Sequence, residues 1–384
     1  MKLLLKNANI DILIQNGIIS AVGADARNTV LDESDKSIDC EGLTIIPGIC
    51  DMHVHLRDPG QTHKEDLFTA SEAAAAGGVT AVVCMPNTTP VIDTPELVRD
   101  IIQRSKSAKV KVYPCAAITK GLQGEELTDF AALKKAGAVA VSDDGMPVVS
   151  DELMEAAMVN ASQAGLGIIS HCEPENEMTL REVGLAGRLG VPVHVAHVST
   201  KEALSCINEN VTFEVAPHHF TLTQDDVKDS DYKMNPPLRT ADDVAALIEL
   251  LCNDNSVKGT CAIASDHAPH TPEEKSGDNP PNGVLGLETI LAVTLTQLYH
   301  TNKLTLDRIV ELLCTNPRRI LKLPEVSLSV GSPADIAIVD LNEEWTVLPQ
   351  RLHSKSKNTC FKGMTLKGKV KYTILNGKVV YDGI

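Results

Sequence analysis

The chain opens with short apolar runs separated by turn residues. In LLLKNANIDILIQNGIISAVG, from residue 3 onward, β-type segments break at Asn16-Gly17, a dipeptide suited to the positive φ angles of a two-residue hairpin. The C-terminal part has the same texture: ADIAIVDLN, EWTVLP and KVKYTILNGKVVYDG, with Asn376-Gly377 as the turn. β structure is predicted at both ends. The economical arrangement is one small β-sandwich domain built from residues 1–46 and 330–384, with a larger domain, 47–329, inserted between its halves.

The inserted region alternates strand and helix. Apolar runs such as IIPGICDMHVHL, VTAVVCMPN, KVYPCAAIT, AVAVSDDG, LGIISHCE, PVHVAHVS, VTFEVAPHHF and CAIASDHAPH are separated by helical stretches. In one of these, Leu153, Ala156, Ala157 and Val159 mark a helical apolar face. Thr94-Pro95-Glu96 and Ser150-Asp151-Glu152 place a hydroxyl at an N-cap and acid in the first turn. Roughly eight strand–helix units in about 280 residues have the size of a (β/α)8 TIM-type barrel. A doubly wound sheet is the rival. It needs a glycine fingerprint opening a helix, and no GxGxxG occurs. The apolar runs instead end in polar clusters, which a barrel would gather at one mouth.

Composition narrows the partners. Of 384 residues, 35 are Lys or Arg and 51 are Asp or Glu, a net charge of -16, which disfavours nucleic acid and anionic membranes. Aromatics are only 3%, so the core must rest on Val, Ile, Leu and Ala. The ten cysteines are scattered singly with no CxxC, and the start has no long apolar core. A reducing, cytoplasmic location is expected.

The candidate chemistry lies at the strand ends. His53 and His55 alternate on one strand, so they share a face and can share a metal ion. His171 and His197 end later runs, and Asp144 and Asp266 end two others. Four imidazoles and two carboxylates without thiolate suit Zn²⁺, with Co²⁺, Mn²⁺ or Fe²⁺ able to substitute. They exceed the needs of one tetrahedral ion and would serve two ions sharing a carboxylate. On the fourth run Ala140, Ser142 and Asp144 would face the barrel interior, which favours Asp144 over its neighbour Asp143 as the ligand. His194 is expected to face away from His197 and pack in the core. His218 and His219 have no assigned role, and His267 is expected to point away from Asp266.

DMHVHLRDPG, VVCMPNTTP, SDDGMPV, SHCE, HVAHVSTKEAL, VAPHHF, MNPPLR and DHAPHTPEEK are collinear with motifs of dihydroorotases, and the chain resembles the class I bacterial type within the amidohydrolase superfamily. The resemblance implies metal ligation by His53, His55, Asp144, His171, His197 and Asp266, with one or two Zn²⁺ per subunit and two favoured. It implies Asp266 as general acid/base, Arg57, Asn87 and His270 as a clamp on the substrate carboxylate, and Asn235 as a contact to the ring. Arg57 could instead pair with Asp58 or Asp66, and Asn235 could cap its own loop. The implied activity is reversible hydrolysis of L-dihydroorotate to N-carbamoyl-L-aspartate in pyrimidine synthesis. Allantoinase or hydantoinase activity is the alternative within the same chemistry. A catalytically inactive subunit of an aspartate transcarbamoylase complex is the alternative from another class. A homodimer and a transcarbamoylase partner are also implied. The segment between His171 and His197 is shorter than the resemblance implies. GDNPPNG, after Ser276, is a candidate mobile lid.

Overall fold

A computed structural model describes residues 2–252 and 259–384. Eight parallel strands form the central sheet: β1 (Ile49–Val54), β2 (Val79–Cys84), β3 (Lys111–Ala116), β4 (Ala140–Val141), β5 (Gly167–Ser170), β6 (Val193–Val195), β7 (Val211–Val215) and β8 (Thr260–Ile263). Each pairs with the next in sequence order, and a parallel bridge from Val54 to His267 closes the cylinder, with His55 N–H donating to His267 O at 2.8 Å. Helices follow most strands, as the alternating pattern requires. Thr94 caps Pro95–Ser105 by accepting from Leu97 N, and Ser150 caps Asp151–Ala164 by accepting from Leu153 N. The buried face of the latter helix is Met154, Ala157, Met158 and Ala161, and Ala156 is exposed. Leu153 packs half-buried against the same core and Val159 is half-buried, so Ala156 is the one member of the predicted face that turns to solvent.

The barrel interior is filled mainly by small groups. Cys50, Ala81, Cys115, Ala140, Ala196, Ala262 and Ala264 form one inner cluster with the longer Met52, Val83, Met85 and Ile169. This is how a chain with few aromatics closes its core. The outward side chains of the same strands, among them Val54, Val82, Ile168, Phe213 and Val215, pack against the helices.

Two further sheets of four strands flank the barrel. One is ordered Ile18–Val22, Ile12–Gln15, Lys2–Lys6, Lys36–Asp39; the other Lys378–Asp382, Thr365–Leu375, Ile336–Thr346, Thr44–Pro47. Asn16-Gly17 and Asn376-Gly377 turn their hairpins with all four φ angles between 48° and 80°. The N-terminal strand Thr44–Pro47 pairs antiparallel with Ile336–Thr346, so the two chain ends interlock. Leu5, Ile12, Ile19, Ile45, Ile336 and Ile374 join both sheets in one apolar cluster. No helix among the described residues is long and apolar enough to cross a membrane, and none of the ten cysteines is in a disulfide.

Candidate active site

The C-terminal ends of the barrel strands converge on one mouth, and irregular backbone aims the key side chains there. A β-bulge gives β1 one extra residue between Asp51 and Val54 against Val82–Cys84. After it Val54 packs outward in the helix-facing core, which turns His53 and His55 inward. Arg57, His197 and Asp266 follow strand ends with φ of 57°, 33° and 50°. Side chains with a Cβ rarely adopt this left-handed region, and such residues concentrate at functional sites. Arg57 therefore reaches the mouth through a left-handed turn, since β1 has already ended at Val54.

The six predicted donors meet. His55 Nε2 lies 3.2 Å from Asp266 Oδ1 and 3.5 Å from Asp144 Oδ2. His53 Nε2 lies 3.2 Å from Asp144 Oδ1 and 3.6 Å from Asp266 Oδ1. His171 Nδ1 is 3.6 Å and His197 Nε2 3.9 Å from Asp144 Oδ1, and these two nitrogens are 2.9 Å apart. Ligands at ~2.0–2.1 Å around a tetrahedral zinc stand roughly 3.3 Å from one another. The spacing thus suits divalent cations, with one oxygen of Asp144 toward His55 and the other toward His53, His171 and His197. His53 Nε2 and Asp144 Oδ1 are buried without a hydrogen-bond partner, although they are only 3.2 Å apart. With His53 neutral both atoms offer lone pairs, which fits a cation between them.

Electrostatics agree. Burial opposes charge on His53, yet the Glu214 and Asp144 carboxylates raise it well above the usual imidazole range. Burial would raise Asp144, but His53, His171 and His197 hold it well below the carboxylate range. Asp266 is likewise lowered against burial, by the hydrogen bond with His55 and the charges of His53, His55 and His197. A field that favours a proton on His53 and His171 also favours a metal cation beside them.

The mouth holds a cavity of about 230 Å³ lined by His55, Arg57, Asn87, Asp144, His171, His197, Asn235 and Asp266, with Asn282 and Gly283 from the GDNPPNG segment. Arg57 is buried, with Nε donating to Pro269 O at 3.1 Å and a terminal nitrogen 3.1 Å from His270 Nε2. Its two expected acidic partners are engaged elsewhere: Asp58 with Arg104 at 2.8 Å, and Asp66 as a helix N-cap. His270 does not line the cavity but backs Arg57, and burial plus the charges of Arg57 and Lys64 lower it to about 3. Asn235 donates to Glu173 Oε2 at 2.7 Å rather than capping its own loop. Asn87 accepts from His55 Nδ1 at 2.8 Å and donates to Asp144 Oδ2 at 3.2 Å, so it orients two of the six donors as well as lining the cavity.

Among the remaining side chains, His194 departs from its expected direction. Asp143 accepts from Ile118 N and Thr119 N at 2.8 and 3.0 Å and serves the preceding strand's loop, apart from the histidine cluster. His194 lies between the outward Val193 and Val195, so it points into the barrel, where Nε2 meets Glu214 Oε2 at 3.1 Å. The positive φ at His197 breaks the alternation from which an outward His194 was inferred. His219 donates from Nε2 to Pro236 O at 2.9 Å, and His218 is fully buried. His267 Nδ1 accepts from Gly286 N, turned away from Asp266 as expected.

Two supporting residues escaped the sequence reading. Glu214 sits behind His53 at 2.5 Å; its signal was a lone acid inside the apolar run VTFEVA. Asn358, from the C-terminal segment assigned to the β domain, accepts from His270 N and donates to Ala268 O and Gly283 O. A Cβ on Gly283 would lie 2.6 Å from Ala268 O, so glycine lets this loop close against the His270 turn. The segment between His171 and His197 forms one helix, Glu175–Leu189, before β6.

Residues 42–230 match the family model described as Dihydro-orotase-like. A dihydroorotase from Citrifermentans bemidjiense is 42% identical over 414 residues, covering 98% of this chain and 96% of the relative. One from Acetivibrio thermocellus is 41% identical over 412 residues, covering 97% and 95%. Both alignments exceed the 384 residues of this chain, so these relatives contain residues with no counterpart here. Among solved structures, the L-hydantoinase (dihydropyrimidinase) from Arthrobacter aurescens is similar with a TM-score of 0.89 at 26% identity, covering 99% of this chain and 96% of that one. The dihydropyrimidinase from Brevibacillus agri has a TM-score of 0.86 at 21% identity, covering 100% and 95%, and shares the fold. With such identity to dihydroorotases along nearly its full length, and with the strand-end histidines and aspartates gathered at one barrel mouth, this chain belongs to the dihydroorotase family.

Proposed function

We propose that this protein interconverts L-dihydroorotate and N-carbamoyl-L-aspartate, using Zn²⁺ held by His53, His55, Asp144, His171, His197 and Asp266, with two ions per subunit. In this reading the barrel, 47–329, carries the chemistry, and residues 1–46 and 330–384 form the accompanying β domain. The observation that carries the substrate choice is Arg57: a buried guanidinium beside the donor cluster, with no carboxylate in ion-pair contact among the described residues. Such a group calls for an anion on the ligand.

Bound cations would supply an acidified water and positive charge for the developing oxyanion. The chain's own residues do the rest. Arg57 takes the ring carboxylate, with His270 behind it and Asn87 alongside, while Asn235 meets the ring. That grip directs the cyclic amide carbonyl toward Asp144 and Asp266 and limits its motion. In hydrolysis a water oxygen bonds to the carbonyl carbon and the ring C–N bond breaks. Asp266 accepts the water proton and delivers it to the departing nitrogen. Synthesis reverses each step, so Asp266 starts protonated.

A hydantoinase reading draws on the fold likeness to hydantoinases. Arg57 argues against it, because hydantoin-type rings lack the carboxylate. An inactive scaffold would not need six mutually close donors. Homodimerisation and association with aspartate transcarbamoylase enter this reading from the family likeness alone, and a cytoplasmic location from the cysteines outside disulfides. The test is metal analysis of the purified protein together with turnover of dihydroorotate, 5,6-dihydrouracil and hydantoin. Zinc content with a strong preference for dihydroorotate is expected. A preference for either carboxylate-free ring, or no turnover after zinc reconstitution, overturns the proposal.

A further inference from the structure

Beneath the mouth, inside the barrel, a row of polar side chains leads away from His53. Glu214 lies on β7 between Phe213 and Val215, which both pack outward, so its carboxylate projects inward; it is 1% exposed. Oε1 is 2.5 Å from His53 Nδ1 and Oε2 is 3.1 Å from His194 Nε2. His194 Nδ1 is 2.9 Å from Thr212 Oγ1.

Donor counting fixes the protons along this row. An ionised carboxylate only accepts, so His53 donates from Nδ1 and His194 from Nε2. A neutral His194 then accepts at Nδ1 from the Thr212 hydroxyl. A neutral His53 is left with its lone pair on Nε2, the atom beside Asp144 that has no hydrogen-bond partner. The arrangement selects one tautomer and one ring angle.

The other donors lack this backing. His55 is held at Nδ1 by an amide, Asn87. His171 faces Glu173 at 3.4 Å, but that side chain is 53% exposed. The inner apolar cluster borders Glu214 at Ala196 and Ala262, and the buried Asp51 carboxylate adds a like charge nearby. A carboxylate buried there is costly unless its charge has a use.

We infer that Glu214, braced by His194, is a positioning residue that presents His53 Nε2 to a metal ion and strengthens it as a ligand. This rests on the metal-dependent reading above. A carboxylate on the far nitrogen of a ligating histidine fixes its tautomer and raises its basicity, and losing such a partner weakens metal binding or activity about 10–100-fold.

The test uses full-length wild type, Glu214→Leu, Glu214→Gln and His194→Gln. After chelator stripping, each is melted to verify folding and titrated with Zn²⁺ against a chromophoric chelator. Turnover of dihydroorotate and ¹⁵N spectra of the zinc-loaded histidines are recorded in parallel. Glu214→Leu is expected to bind Zn²⁺ about 10–100-fold more weakly. Glu214→Gln keeps an acceptor for His53 without the charge and should lie between, as should His194→Gln. The wild-type spectrum should show His53 protonated at Nδ1. If Glu214→Leu does not fold, Glu214→Gln decides. Native zinc affinity in the folded variants, or His53 protonated at Nε2 in the wild type, overturns the inference. Wild type that binds zinc but leaves dihydroorotate intact sinks the substrate assignment alone; wild type that binds no zinc sinks both.

Discussion

Replacing Arg57 with Met keeps the length of the side chain and removes its charge and donors. Arg57 is 7% exposed, so a substrate carboxylate meeting its guanidinium would form a buried, charge-assisted pair. Burial lowers the group to about 10, which still leaves it cationic at neutral pH. Removing one partner of such a pair costs roughly 2–5 kcal/mol, part of it the desolvated carboxylate left behind. At about 1.4 kcal/mol per tenfold, kcat/KM for dihydroorotate should fall roughly 30-fold to several thousand-fold. The carboxylate is remote from the scissile amide, so most of the loss should enter KM, with a smaller drop in kcat where orientation suffers. The assay is ring opening followed by absorbance, on dihydroorotate and on 5,6-dihydrouracil, which has the same ring without the carboxylate. Dihydrouracil turnover, however low, should be unchanged or raised. Arg57→Lys should recover part of the loss, since an ammonium offers charge without the planar fork. An equal loss on both substrates would refute the reasoning, as would a change on dihydroorotate of less than about fivefold.

Asp266→Ala should reduce turnover by several orders of magnitude while retaining part of the metal, and near-native turnover would remove its proton-transfer role. With Asp266 intact, hydrolysis should speed up and synthesis slow down as pH rises through the carboxyl's titration in the working enzyme; parallel trends in both directions would contradict the assignment. Asp144→Ala should lose metal, whereas Asp143→Ala should keep it and lose about 1–3 kcal/mol of stability from the unsatisfied Ile118 and Thr119 amides. Metal analysis with melting curves distinguishes them, and the reverse pattern would restore Asp143 as the ligand. His270 is lowered to about 3, first by burial and then by Arg57 and Lys64. Between that value and about 6.5 the unfolded chain binds a proton that the folded one refuses, so stability is full above about pH 6.5 and declines as pH falls, by about 2 kcal/mol at pH 5. Melting temperature in His270→Asn should therefore decline less between pH 7 and pH 5 than in wild type; an equal decline would show that the imidazole does not carry this linkage.

Much of the architecture was readable from neighbouring residues because the rules that set it are local. Asn-Gly pairs turned the hairpins at both ends, and Thr94 and Ser150 capped the helices the pattern placed after them. Strand–helix rhythm was enough for the barrel, and polar groups at run ends pointed to its mouth. Alternation also separated Asp144 from Asp143, although it misdirected His194, where the left-handed backbone at His197 interrupts it. Tertiary structure alone decided what depends on strands far apart in sequence. The β1 bulge aims His53 and His55, and it exists only against the pairing of β1 with β2. Glu214 meets His53 across 161 residues of chain, and Asn358 reaches back 88 residues to hold His270. Periodicity says which face a side chain takes; which group stands opposite it is set when the sheet closes and brings the inward faces of distant strands together.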